Sequence, residues 1–150
     1  MGPALVLYPG ARKLDHRWAA QAFAEAGRQI AARHRLRAWI AWGPGEEALA
    51  RQVAQQFGPG SRAELLPATD LEGLAAAFRA AALVLTNDTG PMHLAVAVGA
   101  PTLAVFLGDD ADRWASPQAN ARAVRLAGIP GGDAVARVIE TADELLSPKA

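Results

Sequence analysis

The run Asn87-Asp88-Thr89-Gly90-Pro91-Met92-His93 has the residue types and spacing to hold an anion. It follows an apolar stretch, Ala82 to Thr86, and leads into a helical one. The first turn of a helix carries N–H groups without intrahelical partners, and the helix dipole adds positive potential there, which suits phosphate. Gly90 would let a ligand approach the backbone closely. Thr89 offers a hydroxyl, and His93 falls in the first turn, where its ring can face the same ligand. The same residues also read as an ordinary helix start, with Asp88 or Thr89 as the cap and His93 half-buried.

Two other segments carry candidate chemistry. Pro9 to Trp18 follows the first apolar run and includes four groups that are, or can become, cationic: Arg12, Lys13, His16 and Arg17. It matches neither the P-loop nor the G-x-G-x-x-G fingerprint, and a solvated basic loop is its simpler reading. Trp18 reads as a core anchor. In Gly43-Pro44-Gly45-Glu46-Glu47 the acids open a helix and complement its dipole, although a carboxylate there could instead accept hydrogen bonds from ribose hydroxyls. His16, His34 and His93 are too scattered for a metal site, and His34 reads as a surface residue. No Ser-His-Asp set or G-x-S-x-G elbow is present.

These segments need elements to position them. Ala4–Tyr8, Arg37–Trp42, Arg62–Leu66, Ala82–Thr86 and Thr102–Phe106 read as apolar strands, with a short sixth at Ala123–Leu126. Helices are predicted from Trp18 to about His34, Glu46 to Phe57, Asp70 (as N-cap) to about Ala81, Pro91 to about Val98 and Asp133 to Leu146. Pro91 suits a first helical position and Gly99 a stop. The polar stretch Gly108 to Asn120 reads as the longest loop, and the Pro148-Lys149-Ala150 tail as frayed. Strands that are apolar throughout and alternate with helices predict a doubly wound parallel α/β sheet, Rossmann-like, in one domain. In such sheets ligands bind beyond the carboxyl ends of the strands. The loops to watch are therefore Pro9–Arg17, Gly43–Glu47, Leu66–Asp70, Asn87–His93 and Phe106–Trp114.

Composition narrows the classes. The chain has 150 residues, 51% hydrophobic and 20% charged, which is a globular composition. Lys plus Arg and Asp plus Glu both number 15, and this balance argues against a nucleic-acid surface. With no cysteine, neither a disulfide nor a thiolate metal site can form. No apolar run approaches the ~18–20 residues of a membrane span, and no signal peptide is visible after Met1. A cytoplasmic protein is the expectation.

Asn87 to Ala95, followed by Val98-Gly99-Ala100-Pro101-Thr102-Leu103-Ala104-Val105-Phe106, resembles the D-T/S-G-P-x-H-L-A-A-A-L-G-x-P-T-V-A-L-F-G stretch of glycosyltransferase family 9, the ADP-heptose:lipopolysaccharide heptosyltransferases. Pro9-Gly10-Ala11 with Arg17-Trp18 is similar to the family's P-G-A…K-R-W loop, and Gly43-Pro44-Gly45-Glu46 to its G-G-P-x-E segment. Leu66 to Gly73 is similar to L-P-x-x-S-L-x-E, and Gly108 to Pro117 to G-x-T-D-P…W-x-P. The resemblance covers nearly all of the chain but only the second half of such an enzyme.

It implies one half of a GT-B fold, the domain that binds the ADP-sugar donor. The N-terminal acceptor domain, which carries the catalytic Asp, would be absent, since the first strand begins at Ala4. The implied partners are ADP-heptose or a related nucleotide sugar, the missing acceptor domain and, in the full enzyme, the lipopolysaccharide core; nucleic acid is not among them. The family works without a metal or other cofactor, and the full enzyme would be cytoplasmic or peripheral to the inner membrane. Asp88, Thr89 and Gly90 would hold the diphosphate and sugar, with His93 beside the phosphates. Glu46 would bind the ribose, Leu66 to Thr69 would line the adenine slot, and Gly10 and Ala11 would pass near the phosphates. The family's phosphate-binding Lys, two residues before the Trp, is His16 here; Lys13, Arg12 or Arg17 are other sources of charge. Gly108-Asp109-Asp110 places two acids where the family often has a hydroxyl. The alternatives are a stand-alone nucleotide-binding or interaction module without catalysis, or another sugar-nucleotide enzyme such as a UDP-sugar transferase or an epimerase.

Overall fold

The structure is a computed structural model that describes residues 3–60, 63–108 and 120–147. Among the described residues, six strands, β1 (Ala4–Tyr8), β2 (Arg37–Ile40), β3 (Ala63–Leu65), β4 (Leu83–Asn87), β5 (Thr102–Phe106) and β6 (Ala121–Arg125), form one sheet in the order 3-2-1-4-5-6. Every pairing is parallel. Parallel strands need crossovers; among the described residues α1 (Ala20–His34), α2 (Glu47–Gln56), α3 (Leu71–Arg79) and α4 (Gly90–Ala97) connect successive strands from β1 to β5, and α5 (Gly131–Leu146) follows β6.

Apolar side chains go to both faces of the sheet. Phe23, Ala26 and Ile30 of α1, Ala50 and Val53 of α2, and Ala134, Val138 and Ala142 of α5 pack with Leu5, Leu7, Leu85 and Leu103 on one face. Leu74 and Phe78 of α3 and Ala95 of α4 pack with Val6, Tyr8 and Val84 on the other, where Met92 meets Ala104 and Phe106. All five residues of β4 and all five of β5 are buried, which is why these strands are mainly apolar without alternation; Thr86, Asn87 and Thr102 are their buried polar residues. Asp70 caps α3, its Oδ1 accepting from the Gly73 N–H at 2.8 Å. Gly99, just past the end of α4, has φ +81°, the left-handed stop expected of it.

Several boundaries differ from the sequence reading. Helix α1 starts at Ala20 rather than Trp18, preceded by a 3-10 turn at Leu14–His16. The Trp18 N–H is taken by Asn87 Oδ1 at 3.1 Å, and its ring is buried 5.8 Å from that of Phe23. A tertiary contact thus holds Trp18 out of the helix. β2 ends at Ile40 rather than Trp42, although the Ala41 N–H still reaches the Leu7 carbonyl. β6 spans Ala121–Arg125 and pairs with β5 along its whole length. As an edge strand it exposes Arg122, Ala123 and Arg125, so the apolar-run criterion missed its start. Arg62, the long loop through Asp109, Asp110, Trp114 and Pro117, and the 148–150 tail lie outside the described residues.

His34 is a correction. It is half-buried, with Nε2 2.7 Å from Asp143 Oδ1 on α5. Arg33 donates through Nε and Nη2 to the same carboxylate. The Arg33 hydrogen bonds hold the Asp143 carboxyl below the usual carboxylate range; burial opposes them, and the His34 bond adds a smaller lowering effect. A depressed folded pKa gives stability that is present above the unfolded value and lost as pH falls through the folded one. Asp143→Asn is therefore expected to lower Tm at neutral pH by no more than about 4 °C. The difference from wild type should shrink as the pH falls below the ordinary Asp range, a trend that melts between pH 2.5 and 7 would check.

Candidate functional site

The strand order reverses between β1 and β4, whose crossovers leave in opposite directions and open a crevice at their carboxyl ends. Three of the marked segments meet there.

Asn87 organises the crevice. Its side chain is fully buried at the end of β4. Nδ2 donates to the Pro9 carbonyl at 2.7 Å and to the Gly10 carbonyl at 3.3 Å, while Oδ1 accepts from Trp18. Its amide thus uses both donor and acceptor to clamp the two ends of the β1 loop. Arg17 tightens the same loop, Nε donating to the Ala11 carbonyl at 2.9 Å.

Glu46 occupies the N-cap position of α2, but its side chain makes no capping bond. Its carboxylate turns inward instead. Oε1 accepts from the Tyr8 hydroxyl and from the Gly43 N–H, each at 3.0 Å, and Oε2 from Arg17 Nη2 at 3.4 Å. A Cβ built on Gly10 would lie 2.3 Å from this carboxylate, and one on Gly43 would lie 2.6 Å from the Tyr8 hydroxyl. Glycine at both positions is what admits the network. Burial first, then the Glu46 carboxylate, raise the Tyr8 phenol well above its usual range, which keeps it a proton donor. Oε2, with a single long bond, retains lone pairs for a further donor.

At the start of α4, Thr89 occupies the N-cap position and makes no capping bond, so its hydroxyl remains available. Nothing lies within 4 Å of a Cβ built on Gly90, so the backbone there is open to approach. Asp88 does not cap the helix either. His16 Nδ1 lies 3.2 Å from its carbonyl oxygen and 3.6 Å from its Oδ2. His93, read as half-buried under the simple cap reading, is exposed on α4.

Thus Gly10, Ala11, His16, Glu46, Asp88, Thr89 and Gly90 converge at one edge, with His93 in the first turn of the same helix. Lys13 is exposed in the β1 loop, and its side chain has no hydrogen-bond partner among the described residues. Thr69 sits beyond β3, two strands away from β1, and makes no side-chain hydrogen bond among the described residues. Nearby, Trp42 Nε1 donates to the Leu66 carbonyl at 2.9 Å. A groove of about 370 Å³ lined by Val6, Trp39, Leu66, Pro67 and Ala77 runs along the sheet beneath α3. A larger one of about 600 Å³, lined by Leu36, Phe57 and Pro59 among others, lies at the opposite, amino end of the strands.

Asn87, Tyr8 and Arg17 are the residues to which the sequence assigned no site role, or only a spare charge. A clue existed for Asn87, because an amide ending a fully buried strand must find partners. None existed for Tyr8, which reads as one more apolar strand residue.

The profile of a family described as glycosyltransferase family 9 (heptosyltransferase) matches residues 1–137. Lipopolysaccharide heptosyltransferase 1 of Escherichia coli (strain K12) is 36% identical over 72 residues, a match covering 47% of this chain and 22% of that protein. The structure of the E. coli heptosyltransferase WaaC with ADP superposes with a TM-score of 0.78 at 27% identity, covering 94% of this chain and 44% of that one. E. coli ADP-heptose lps heptosyltransferase II superposes with a TM-score of 0.80 at 21% identity, over 96% of this chain and 46% of that one, a likeness of fold. The chain spans under half the length of these relatives. With the profile matched across most of its length, this chain belongs to glycosyltransferase family 9, the heptosyltransferase family.

Proposed function

We propose that the chain is the donor-binding half of a heptosyltransferase, holding ADP-heptose for transfer to a lipopolysaccharide core acceptor in the cytoplasm. The observation that carries this reading is the convergence, at the β1/β4 crevice, of an open helix N-terminus with Glu46 and His16 from two other loops. A diphosphate would lie over Gly90 and the free N–H groups of α4, beside Thr89 and His93. Glu46 Oε2 would accept from the ribose hydroxyls, and Leu66 to Thr69 would border the adenine. The acceptor hydroxyl would attack the anomeric carbon with inversion as the bond to the β-phosphate breaks and ADP leaves. Fixed N–H dipoles and nearby cations would stabilise the charge growing on that phosphate, without a metal. The base that takes the hydroxyl proton, and the acceptor site, would lie in a second domain outside these 150 residues. Two exposed apolar side chains at this edge, Leu14 and Leu71, suit cover by such a domain.

Thermal melts test the reading. ADP at ~100 times its Kd should add about 2.7 kcal/mol of stability, more than UDP, GDP or AMP at equal concentration. Glu46→Ala and His93→Ala should each shrink the shift, and the chain alone should show no heptosyl transfer. A flat melt with every nucleotide would overturn the donor-site assignment, and turnover by the isolated chain would overturn the half-site reading.

A further inference from the structure

We propose that Tyr8 is a positioning residue for the sugar of the nucleotide: its hydroxyl fixes the Glu46 carboxylate in the crevice, and this sets a preference for nucleotides that carry ribose hydroxyls. The proposal rests on the donor-site reading above.

Two places compete for the Glu46 carboxylate. One is the first turn of α2, where unpartnered N–H groups and the helix dipole attract negative charge. Glu46 stands at the N-cap position there and makes no bond to it. The other is the crevice, where Tyr8 and Gly43 each donate to Oε1 at 3.0 Å. Both donors are held by the fold. Tyr8 ends β1 in register with Thr86 of β4, and the Gly43 N–H belongs to the backbone between β2 and α2. Two donors occupy the lone pairs of Oε1, so Oε2 is the oxygen left to accept more. Its bond from Arg17 Nη2, at 3.4 Å, is longer than a charge-assisted hydrogen bond usually is. The Glu46 side chain is only 12% exposed, so little water can stand in for a missing ligand hydroxyl.

Packing does not account for the Tyr8 hydroxyl. The ring shares an apolar cluster with Val6, Ala41, Leu74 and Phe78, and a phenylalanine ring would fill the same space. What phenylalanine lacks is the bond to Glu46. Without that bond the carboxylate keeps one fixed donor instead of two and is drawn toward the α2 turn. Oε2 is then no longer held where a ribose hydroxyl would meet it.

The test compares the Kd of ADP with that of dideoxy-ADP, which lacks both ribose hydroxyls, by calorimetry at one pH. Hydrogen bonds to a charged group are worth about tenfold to a hundredfold in affinity, and wild type should favour ADP by that much. Tyr8→Phe should lower this ratio about five- to tenfold, through weaker ADP, with dideoxy-ADP bound as before. Gly43→Ala reaches the same end by another route. Its Cβ would lie 2.6 Å from the Tyr8 hydroxyl and displace it without removing it, so the ratio should fall likewise. Asp143→Asn, which alters the α1–α5 contact, should leave both Kd values unchanged. A wild-type ratio kept in Tyr8→Phe (or in Gly43→Ala, should Tyr8→Phe not fold) would overturn the proposal, as would an equal loss in Asp143→Asn. A wild-type ratio near one would overturn it while leaving the nucleotide site in place. Failure of wild type to bind either nucleotide would instead remove the donor-site reading, and this inference with it.

Discussion

Asn87→Ala should destabilise the protein by about 2–4 kcal/mol and weaken ADP more than tenfold. The side chain is fully buried, and its removal strands the Trp18 N–H and the Pro9 carbonyl inside the fold. Each buried group left without a partner costs about 1–3 kcal/mol. The same bonds hold both ends of the β1 loop against β4, so their loss releases Gly10, Ala11 and His16 from the crevice. Asn87→Asp sharpens the test because it conserves shape. It would keep an acceptor for Trp18 but turn a carboxylate oxygen onto the Pro9 carbonyl, replacing a 2.7 Å hydrogen bond with a repulsive contact. Urea denaturation of the three proteins, with ADP titrations on those that fold, checks both effects. An Asn87→Asp variant as stable as wild type would show that the amide is not a clamp.

Gly10→Ala should cost nearly as much ADP affinity as Glu46→Ala, although it removes no functional group. The added methyl would stand 2.3 Å from the Glu46 carboxylate. That carboxylate is the free end of a flexible side chain, so it can move, but moving means leaving Tyr8, Gly43 and Arg17. We expect about 1–3 kcal/mol of stability lost in the single variant, the worth of those hydrogen bonds. In the double variant the clash is gone, and adding Gly10→Ala to Glu46→Ala should change affinity and stability by less than about 0.5 kcal/mol. The coupling between the two positions is the quantity to measure in a double-mutant cycle. Simple additivity would mean that Gly10 acts independently of the carboxylate, for instance by direct approach to the ligand.

Much of this architecture is legible in the chain. Strands β1, β4 and β5 announce themselves because a strand buried on both faces is apolar at most positions, as at residues 5–7, 83–85 and 103–106. Asp70, Pro91 and Gly99 mark helix ends through local backbone chemistry that needs no tertiary context. The helix start around Asp88 to His93 is equally visible, since Pro91 suits a first helical turn, whose N–H groups lack intrahelical partners. His34 shows the opposite case. Its partner Asp143 lies over a hundred residues away, and nothing in local spacing could have paired them.

The sequence by itself determined the fold class and which loops follow the carboxyl ends of the strands, because apolar periodicity and turn residues act locally. Only the tertiary structure decided what the candidate side chains do there. Glu46 reads as a helix opener and becomes a carboxylate held by Tyr8, Gly43 and Arg17. Asp88 reads as a cap and becomes the partner of His16. Asn87, without a role in the linear reading, ties the first loop to the fourth strand. Each assignment depends on strands distant in sequence being neighbours in the sheet. A side-chain hydrogen bond forms only where folding has set donor and acceptor about 3 Å apart.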